Sequence, residues 1–410
     1  MSGSVARNMS GLGERNGITS KPGALVTGDP EDEIRRSVYR LARRTVDASG
    51  SSAVGVCERT LRRQIDRYEA DGMDGLIDKR LAQLSHKRAP VDEVMKLVDL
   101  YRSDYSGWNA KHFHTWYSRD HGGQRGYTWV KNQLQQAGAV VRAKARGQHR
   151  KKRDREPLPG MMVHQDASSH EWIAGHRWDL VNTMDDATNG HLSMFFCDEE
   201  GTVSSFHGIG QTIARHGLFS VFYTDLGSHY FHTPEAGGKV DKNNPTQVGR
   251  ALKQLGIKHI AAYSPEARGR SERAFKTHQG RLPQELAKAG ITNMADANRY
   301  LEQVCLPQFN AEFTVKAAAE GSAFIPYIGN NLPDVLCEQH ERIVGNDNCV
   351  SFEGMKLQIP ADGVRYHYVK VVVRVHRYVD GTLGIFHGPR KLAGYDAQGN
   401  LPLQELKQAA

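Results

Sequence analysis

Apolar residues in the first part of the chain recur at helical spacing. In residues 31–46 they follow the near-3.6-residue period of an amphipathic helix, and residues 57–72 repeat that period after a Gly/Ser stretch. The apolar face of the second segment consists of Leu61, Ile65 and Tyr68. Its candidate DNA-reading side chains, largely on other faces, are Arg59, Arg62 and Arg63. A short helix, a tight turn and a basic second helix predict a helix-turn-helix DNA-binding domain over residues 31–84.

A second helical unit is predicted over residues 88–140. An apolar stripe in residues 91–105 is broken at Ser106-Gly107, and two more helical segments follow, the last ending at Gly138. Its candidate DNA-reading residues are Tyr127, Trp129 and Lys131. This pattern predicts a second helix-turn-helix, and it fits a plain helical bundle with a solvated basic face equally well.

The pattern changes after residue 160. Short apolar runs bounded by turn residues predict strands at 161–168, 178–187, 191–199 and 220–225. A helix at 246–256, a strand at 257–264 and a long helical stretch at 269–290, broken at Pro283, come next. Strands followed by alternating strands and helices predict an α/β core with a mixed sheet over residues 161–330.

Residues 335–400 contain only short strand-like runs, with an Asp-Gly turn at 380–381. This spacing is typical of a small all-β barrel. The chain is therefore predicted to be multidomain, with a helical DNA-binding region, an α/β core and a β-barrel. Residues 1–30 are rich in Gly and Ser and show no apolar period, which predicts a mobile tail.

Composition and charge narrow the choice of partner. The 410 residues are 39% hydrophobic, which is enough for several folded domains, and the 54 Lys and Arg exceed the 46 Asp and Glu to give a net charge of +8. A moderate excess fits a phosphate-bearing partner without indicating one by itself. The excess is concentrated in a predicted linker over residues 141–160. Its candidate phosphate contacts are Arg150, Lys151 and Lys152. A solvated linker without a partner is the alternative.

Cysteines and apolar runs bear on the compartment. None of the five cysteines forms a CxxC pair, which argues against a zinc site or a disulfide framework. No apolar run approaches the roughly 18–20 residues that span a bilayer, and no signal-peptide region is evident. We therefore expect a reducing compartment, the bacterial cytoplasm at the nucleoid, and no membrane partner.

Three carboxylates lie where a predicted element begins or ends. Asp166 is on the first strand of the core, Asp225 stands where an apolar strand stops, and Glu272 is just inside a helix. Phosphoryl transfer can use two hard cations, for which carboxylate oxygens are suitable ligands. Spacing alone does not bring the three together, and acidic residues at strand ends are common.

Residues 161 to about 285 resemble the catalytic core of the DDE transposase and retroviral integrase superfamily, which has an RNase H-like fold. The matching motifs are HQDAS, TDLGSHY in place of the family's (T/S)DNG, and an S-P-x-x-x-G-x-x-E run. In that run Pro265 and Gly269 set the register on Glu272, and Glu266 is rejected because the family usually has Gln there. From about residue 35 to 400 the chain also resembles the insertion-sequence transposases grouped as ISNCY, through TMDDATNG and AYSPEARGRSER.

Two departures from the family pattern stand out. The second motif reads Asp-Leu-Gly instead of Asp-Asn-Gly, which keeps the acid and the glycine turn. The interval from Asp225 to Glu272 is lengthened by HTPEAGGKVDKN. That insertion is either a surface loop that contacts DNA near the active site or a tolerated insertion.

The resemblance implies a mechanism. Asp166, Asp225 and Glu272 would bind two Mg²⁺ ions, for which Mn²⁺ would substitute, and no ATP is needed. Water would cut at the element's ends, and the freed 3′-OH would attack target DNA. Two ends must be joined together, which implies a homo-oligomer on double-stranded DNA, at least a dimer. Side chains near Glu272 that would bind the DNA end are Lys276, Arg268, Arg270 and Arg273.

Other readings stay open from the sequence. His229 either approaches the scissile phosphate or is structural, and Asp185 and Asp186 are interpreted as turn formers. The chain is either an active transposase, a catalytically silent DNA-binding regulator with an RNase H-like scaffold, or a metal nuclease that cuts without joining. All three carboxylates are present, which favours the first.

Overall fold

The computed structural model describes residues 57–76, 89–142, 154–233, 239–241, 243–263, 269–361 and 363–402. The chain divides into two compact units, Met1–Glu93 and Val94–Ala410. The predicted tail, the helix predicted over 31–46 and most of the basic linker lie outside the described residues.

In the first unit the basic helix predicted near residues 57–72 is present. Helix α1 spans Glu58–Asp71 and a short helix α2 spans Met73–Leu76. Leu61 is buried, and Gly72, at a φ of +62°, ends α1 in the left-handed region that favours glycine. Because the partner helix lies outside the described residues, the helix-turn-helix stays a prediction.

Three helices follow, at the places where the second helical unit was predicted. They are α3 (Val91–Asp104), α4 (Ala110–Asp120) and α5 (Tyr127–Gln136). A cluster that includes Tyr105, Phe113 and Leu134 fills the space between them. The Asn109 side chain accepts the His112 N–H and caps α4. The helices are confirmed, and their use as a helix-turn-helix stays a prediction.

The core sheet has five strands. They are β1 (Met162–Ile173), β2 (His176–Asp185), β3 (His191–Cys197), β4 (Val221–Thr224) and β5 (Lys258–Ala261). Their order is β3-β2-β1-β4-β5, with β1, β2 and β3 antiparallel and with β4 and β5 parallel to β1. The predicted mixed sheet is therefore confirmed, and with its flanking helices it fits an RNase H-like fold.

In the described residues of the core, seven helical segments accompany this sheet. They are α6 (Thr202–His216), α7 (Gln247–Gln254), α8 (Gly269–Gln279), α9 (Leu282–Lys288), α10 (Met294–Tyr300), a π-helical segment (Leu301–Cys305) and α11 (Leu306–Phe313). Residues of α6 and α7 pack into one buried cluster with β1 and β4, and residues of α8, α9 and α10 pack into a second with β2 and β3. The break predicted at Pro283 is confirmed, because Pro283 occupies the first turn of α9.

The sequence interpretation missed α6. Its buried face has Phe206, Ile209 and Ile213 at helical spacing. Gly208 and Gly210 lie within it, and glycine lowers helix propensity by about 1 kcal/mol relative to alanine. The helix forms because its apolar face is buried against the sheet, and tertiary packing of that kind outweighs propensity.

The described residues from 332 to 402 form β-strands after one short helix. The elements are α12 (Leu332–Val335), β6 (Glu338–Ile343), β7 (Cys349–Phe352), β8 (Met355–Gln358), β9 (Val372–Arg377), β10 (Leu383–His387) and β11 (Arg390–Tyr395). They form a four-stranded antiparallel sheet, β11-β10-β9-β6, and a separate β7-β8 hairpin around one apolar cluster. The predicted turn lies between β9 and β10, with Gly381 at a φ of +84°. A small β domain is thus present, and its closure into a barrel stays a prediction.

None of the helices in the described part of the chain is both long enough and apolar enough to cross a bilayer.

Candidate active site

Asp166 lies within β1 and not at a strand end as predicted. The antiparallel pairing of β1 with β2 runs past it and places it opposite Asn182, so the strand continues to Ile173. The parallel pairing with β4 ends earlier, at His164 opposite Tyr223. Asp166 therefore lies just beyond the parallel part of the sheet, nearly buried, with Oδ1 accepting the Ala167 N–H at 3.0 Å.

Asp225 directly follows β4, as predicted. His164 and Tyr223 are paired, and Asp166 and Asp225 each come two residues later. Since adjacent strands lie about 4.8 Å apart, Asp166 on β1 and Asp225 just after β4 lie at the same level along neighbouring chain segments. Asp225 Oδ1 accepts the Gly227 N–H at 2.9 Å. A Cβ on Gly227 would lie 3.1 Å from that oxygen, so a glycine suits this tight turn.

Glu272 is exposed in the first turn of α8, as predicted. It lines a cavity of about 520 Å³ together with Asp166 and Lys276. The other lining residues are Ala167, Ser168, Phe275 and Gln279. The Gln279 amide donates to Ser168 Oγ at 2.9 Å, which ties the end of α8 to β1. The structure thus brings two of the three predicted carboxylates to one cavity.

The donor set suits a hard cation, because carboxylate oxygens are the ligands that Mg²⁺ prefers. Asp166 and Glu272, which line the same cavity, both offer such oxygens. Within the described residues there is no group of three or more His, Cys, Asp or Glu side chains placed to hold a metal ion. Asp225 stands one strand away from Asp166 and is absent from the cavity lining.

Asp185 and Asp186 have different surroundings, although both were interpreted as turn formers. Asp185 does form the turn: its oxygens accept the Thr188 N–H at 2.9 Å and the Gly160 N–H at 2.8 Å. Asp186 is fully buried, accepts from His164 Nε2 at 2.7 Å and pairs with the Arg270 guanidinium. Both acids are fully buried, and their order in the sequence does not reveal which one closes the turn and which one pairs with Arg270.

The partners of Asp186 keep it ionised. Burial alone would raise the pKa of this carboxyl, because it disfavours the charged form. The hydrogen bonds from His164 and from the Glu156 N–H outweigh burial, and with the Arg270 charge they hold the pKa of Asp186 well below its usual range.

The predicted DNA contacts around α8 divide into three groups. Lys276 lines the cavity and Arg273 is exposed. Arg270, predicted to bind phosphates, instead turns inward to Asp186, so its charge is already used within the protein. The predicted DNA contacts Arg268, Arg150, Lys151 and Lys152 lie outside the described part of the chain, as do Pro265, which set the register, and the rejected Glu266.

The residues of α1 and α5 that are predicted to contact DNA also differ in exposure. Arg59, Arg62 and Arg63 are exposed on α1. Tyr127 is exposed at the start of α5, with the Lys131 ammonium 5.8 Å from its ring centroid. Trp129 is half-buried against the helical cluster, which leaves it less surface for DNA. Each of these contacts with DNA stays a prediction.

His229 contacts protein groups. Its Nε2 lies 3.7 Å from Glu200 Oε1, and its ring packs 3.9 Å from that of Tyr230. The Tyr230 hydroxyl donates to Gln165 Oε1 at 3.0 Å, one residue before Asp166. The structural role of His229 and its approach to the scissile phosphate both stay predictions.

A buried histidine pair, which was not predicted from the sequence, joins α8 to β3. His278 Nε2 lies 2.8 Å from His191 Nε2, and Phe309 stacks on His191. Burial lowers the pKa of His191 to about 3 and that of His278 well below its usual value, so both rings are neutral at pH 7. Histidines far apart in sequence give no signal that they pair.

Comparison with known proteins finds sequence relatives. No known family profile matches the chain. The chain is 29% identical to "Putative transposase y4bF" of Sinorhizobium fredii over 348 residues, which are 82% of this chain and 74% of that protein. It is 29% identical to the transposase for insertion sequence IS1202 of Streptococcus pneumoniae over 234 residues, 56% of this chain and half of that protein.

Solved structures give weaker matches. The HTLV-2 integrase catalytic core domain in complex with magnesium shows 16% identity over 36% of this chain and 88% of its own, with a TM-score of 0.28. The intasome of a simian T-cell lymphotropic virus shows 15% identity over 74% of this chain and 97% of its own, with a TM-score of 0.33. TM-scores this low do not establish a shared fold. The chain is therefore similar in sequence to proteins named as transposases, and its mixed sheet with flanking helices fits an RNase H-like fold.

Proposed function

We propose that the chain is an insertion-sequence transposase of the ISNCY type, which cuts DNA at the element's ends and joins them to target DNA. The observation that carries this proposal is the cavity shared by Asp166, Glu272 and Lys276, which come from β1 and α8. Two carboxylates and a lysine ammonium group in one cavity suit a metal-dependent reaction on a phosphodiester.

Asp166 with Asp225, and Asp166 with Glu272, would hold two Mg²⁺ ions, or Mn²⁺ in their place. When bound, the ions supply an activated oxygen nucleophile and charge stabilisation for the leaving oxygen. The protein's own part is placement. The Gly227 N–H orients the Asp225 carboxylate, β1 fixes Asp166, and Lys276 offers its ammonium to a phosphate of the DNA end.

The reaction has two steps. In the first, the oxygen of water forms a bond to the phosphorus at the element's end, the P–O3′ bond breaks, and the 3′ oxygen gains a proton and leaves as a hydroxyl. That 3′-OH then attacks a target phosphodiester and displaces another 3′ oxygen. The second step exchanges one phosphodiester for another, so no ATP is needed.

DNA binding would involve several parts of the chain. The exposed arginines of α1 and the start of α5 would read the inverted repeats, and the basic residues of the linker would contact phosphates. The β domain would bind DNA or a second subunit. Because two ends are joined together, the active form is proposed to be at least a dimer on DNA. Location at the bacterial nucleoid stays a prediction.

The proposal is tested with the full chain, a labelled element-end duplex, target DNA and Mg²⁺ or Mn²⁺. Asp166→Asn, Asp225→Asn and Glu272→Gln should each abolish joining and leave end binding intact, because each removes one metal-binding charge and keeps the side chain's size. Glu266→Gln is the matched control and should join normally. Full joining by Glu272→Gln would show that the carboxylate assignment is wrong.

A catalytically silent DNA-binding regulator is the second candidate. It is favoured by the lack of a three-residue metal-ligating group among the described side chains. A regulator would bind the end duplex as tightly as a transposase does. It would neither cut nor join that DNA, with or without metal, and Glu272→Gln would not alter this result.

A further inference from the structure

One buried carboxylate links β1 and α8, the elements that carry Asp166 and Glu272. Asp186 follows β2 directly and has no exposed surface. Its Oδ1 accepts from His164 Nε2 at 2.7 Å and pairs with the Arg270 guanidinium. His164 lies two residues before Asp166 on β1, and Arg270 lies two residues before Glu272 on α8.

The other oxygen of this carboxylate holds a third segment. Asp186 Oδ2 accepts the Glu156 N–H at 2.8 Å. The Arg155 guanidinium donates to Asn189 Oδ1 at 2.9 Å and to the Ala187 carbonyl at 3.2 Å. The end of the predicted linker is therefore fixed at the same point as β1 and α8.

These contacts give α8 two attachments to the sheet, one near each end. Arg270 joins its first turn to Asp186, and Gln279 joins its last residue to Ser168 on β1. Glu272 and Lys276 lie between the two attachments. A buried, ionised carboxylate is stable only with its partners in place, so loss of the Asp186 attachment would be costly.

We propose that Asp186 is a positioning residue, which sets the spacing of Asp166 and Glu272 through His164 and Arg270. Asp186 would act through these two side chains. This role rests on the proposed function, because the spacing matters only if the two acids act together. Misplacing a reacting group by about 1 Å can slow an enzyme on the order of 100-fold.

The test compares the full-length wild type with Asp186→Asn and Asp185→Asn. Asp185 is the matched control: it is equally buried and adjacent, but its oxygens accept from Gly160 and Thr188. Two readouts are measured, Mn²⁺ binding by electron paramagnetic resonance and the joining rate at saturating end duplex. End affinity and unfolding midpoints are recorded for each variant.

Asp186→Asn should weaken Mn²⁺ binding and slow joining by about 10- to 100-fold with end affinity unchanged. Asp185→Asn should keep both close to wild type. Equal losses in both variants would mean general destabilisation of the turn and would overturn the positioning role. So would an Asp186→Asn variant that matches the wild type.

A second pair of variants covers the case in which Asp186→Asn does not fold. Arg270→Met should lower Mn²⁺ binding and joining without lowering end affinity, and Arg270→Lys should restore part of both because the charge returns. If Arg270→Met instead lost end affinity and kept Mn²⁺ binding, Arg270 would be a DNA contact and the proposal would fall. A wild type that neither binds Mn²⁺ nor joins ends would refute the proposed function and the positioning role with it.

Discussion

At the scale of single residues, close packing beneath the proposed site leaves little freedom. Gln165 precedes Asp166 and is held on both sides: its Nε2 donates to Thr183 Oγ1 at 2.9 Å, and its Oε1 accepts from the Tyr230 hydroxyl at 3.0 Å. A Cβ on Gly208 of α6 would lie 2.3 Å from Gln165 Nε2. Gly208 lowers the helix propensity of α6, and its lack of a side chain allows this helix to lie close to the sheet.

Gly208→Ala should therefore destabilise the protein. Alanine gains about 1 kcal/mol of helix propensity, but overpacking typically costs about 1–3 kcal/mol, and the bonded Gln165 cannot move aside without losing hydrogen bonds. Gly210→Ala is the matched control, because its Cβ would meet Leu336 Cδ1 at an ordinary 3.5 Å. Urea unfolding should show a loss for the first and none for the second. Equal stability of the two variants would contradict the packing argument.

At the scale of elements, local patterns predicted most of the secondary structure and little of the site. The strands of the core, the helix that carries Glu272 and the break at Pro283 follow from apolar period and proline chemistry. The place of Asp166 within its strand does not, because the length of β1 depends on its pairing with β2. The inward turn of Arg270 does not either, since its partner Asp186 lies 84 residues away.

Helix α8 also depends on the neutral pair of His191 and His278, which makes stability fall in acid. The folded state holds both rings unprotonated, whereas the unfolded chain takes up protons below its ordinary pKa near 6.5. The contribution is therefore complete above about pH 6.5 and is lost as the pH falls toward the lowered pKa of the folded state, about 3 for His191. The slope is about 1.4 kcal/mol per pH unit for each histidine.

His278→Gln should make this decline shallower between pH 6.5 and pH 4, measured by urea unfolding at several pH values. His176→Gln is the control, because its ring is exposed in the folded protein and should leave the slope unchanged. A decline in His278→Gln as steep as in the wild type would show that the buried pair does not control acid stability.

At the scale of the whole molecule, the three-helix part is joined to the core by a buried histidine–glutamate hydrogen bond and a partly exposed ion pair. His112 Nε2 on α4 lies 2.7 Å from Glu285 Oε1 on α9, and Trp108 stacks on His112 at 4.1 Å. Lys111 and Glu312 form a longer pair at 3.9 Å. Contacts across so much of the chain have no signature in local sequence, which is why the helical unit was predicted but its attachment was not.

Glu285→Ala should destabilise the protein by about 1–3 kcal/mol, since it leaves His112 buried without its partner. Lys111→Met should cost less than about 1 kcal/mol, as expected for a partly exposed ion pair. Thermal or urea unfolding distinguishes them. Equal losses would mean that the attachment does not depend on the buried pair.

The most direct test of the central claim uses an element-end duplex that already carries a free 3′-OH, so that joining is measured apart from cutting. With Mg²⁺ and target DNA, the wild type should give a covalent end–target product, and Glu272→Gln should bind the duplex equally well and give none. Joining by Glu272→Gln at the wild-type rate, or end binding by the wild type without any joined product, would contradict the account.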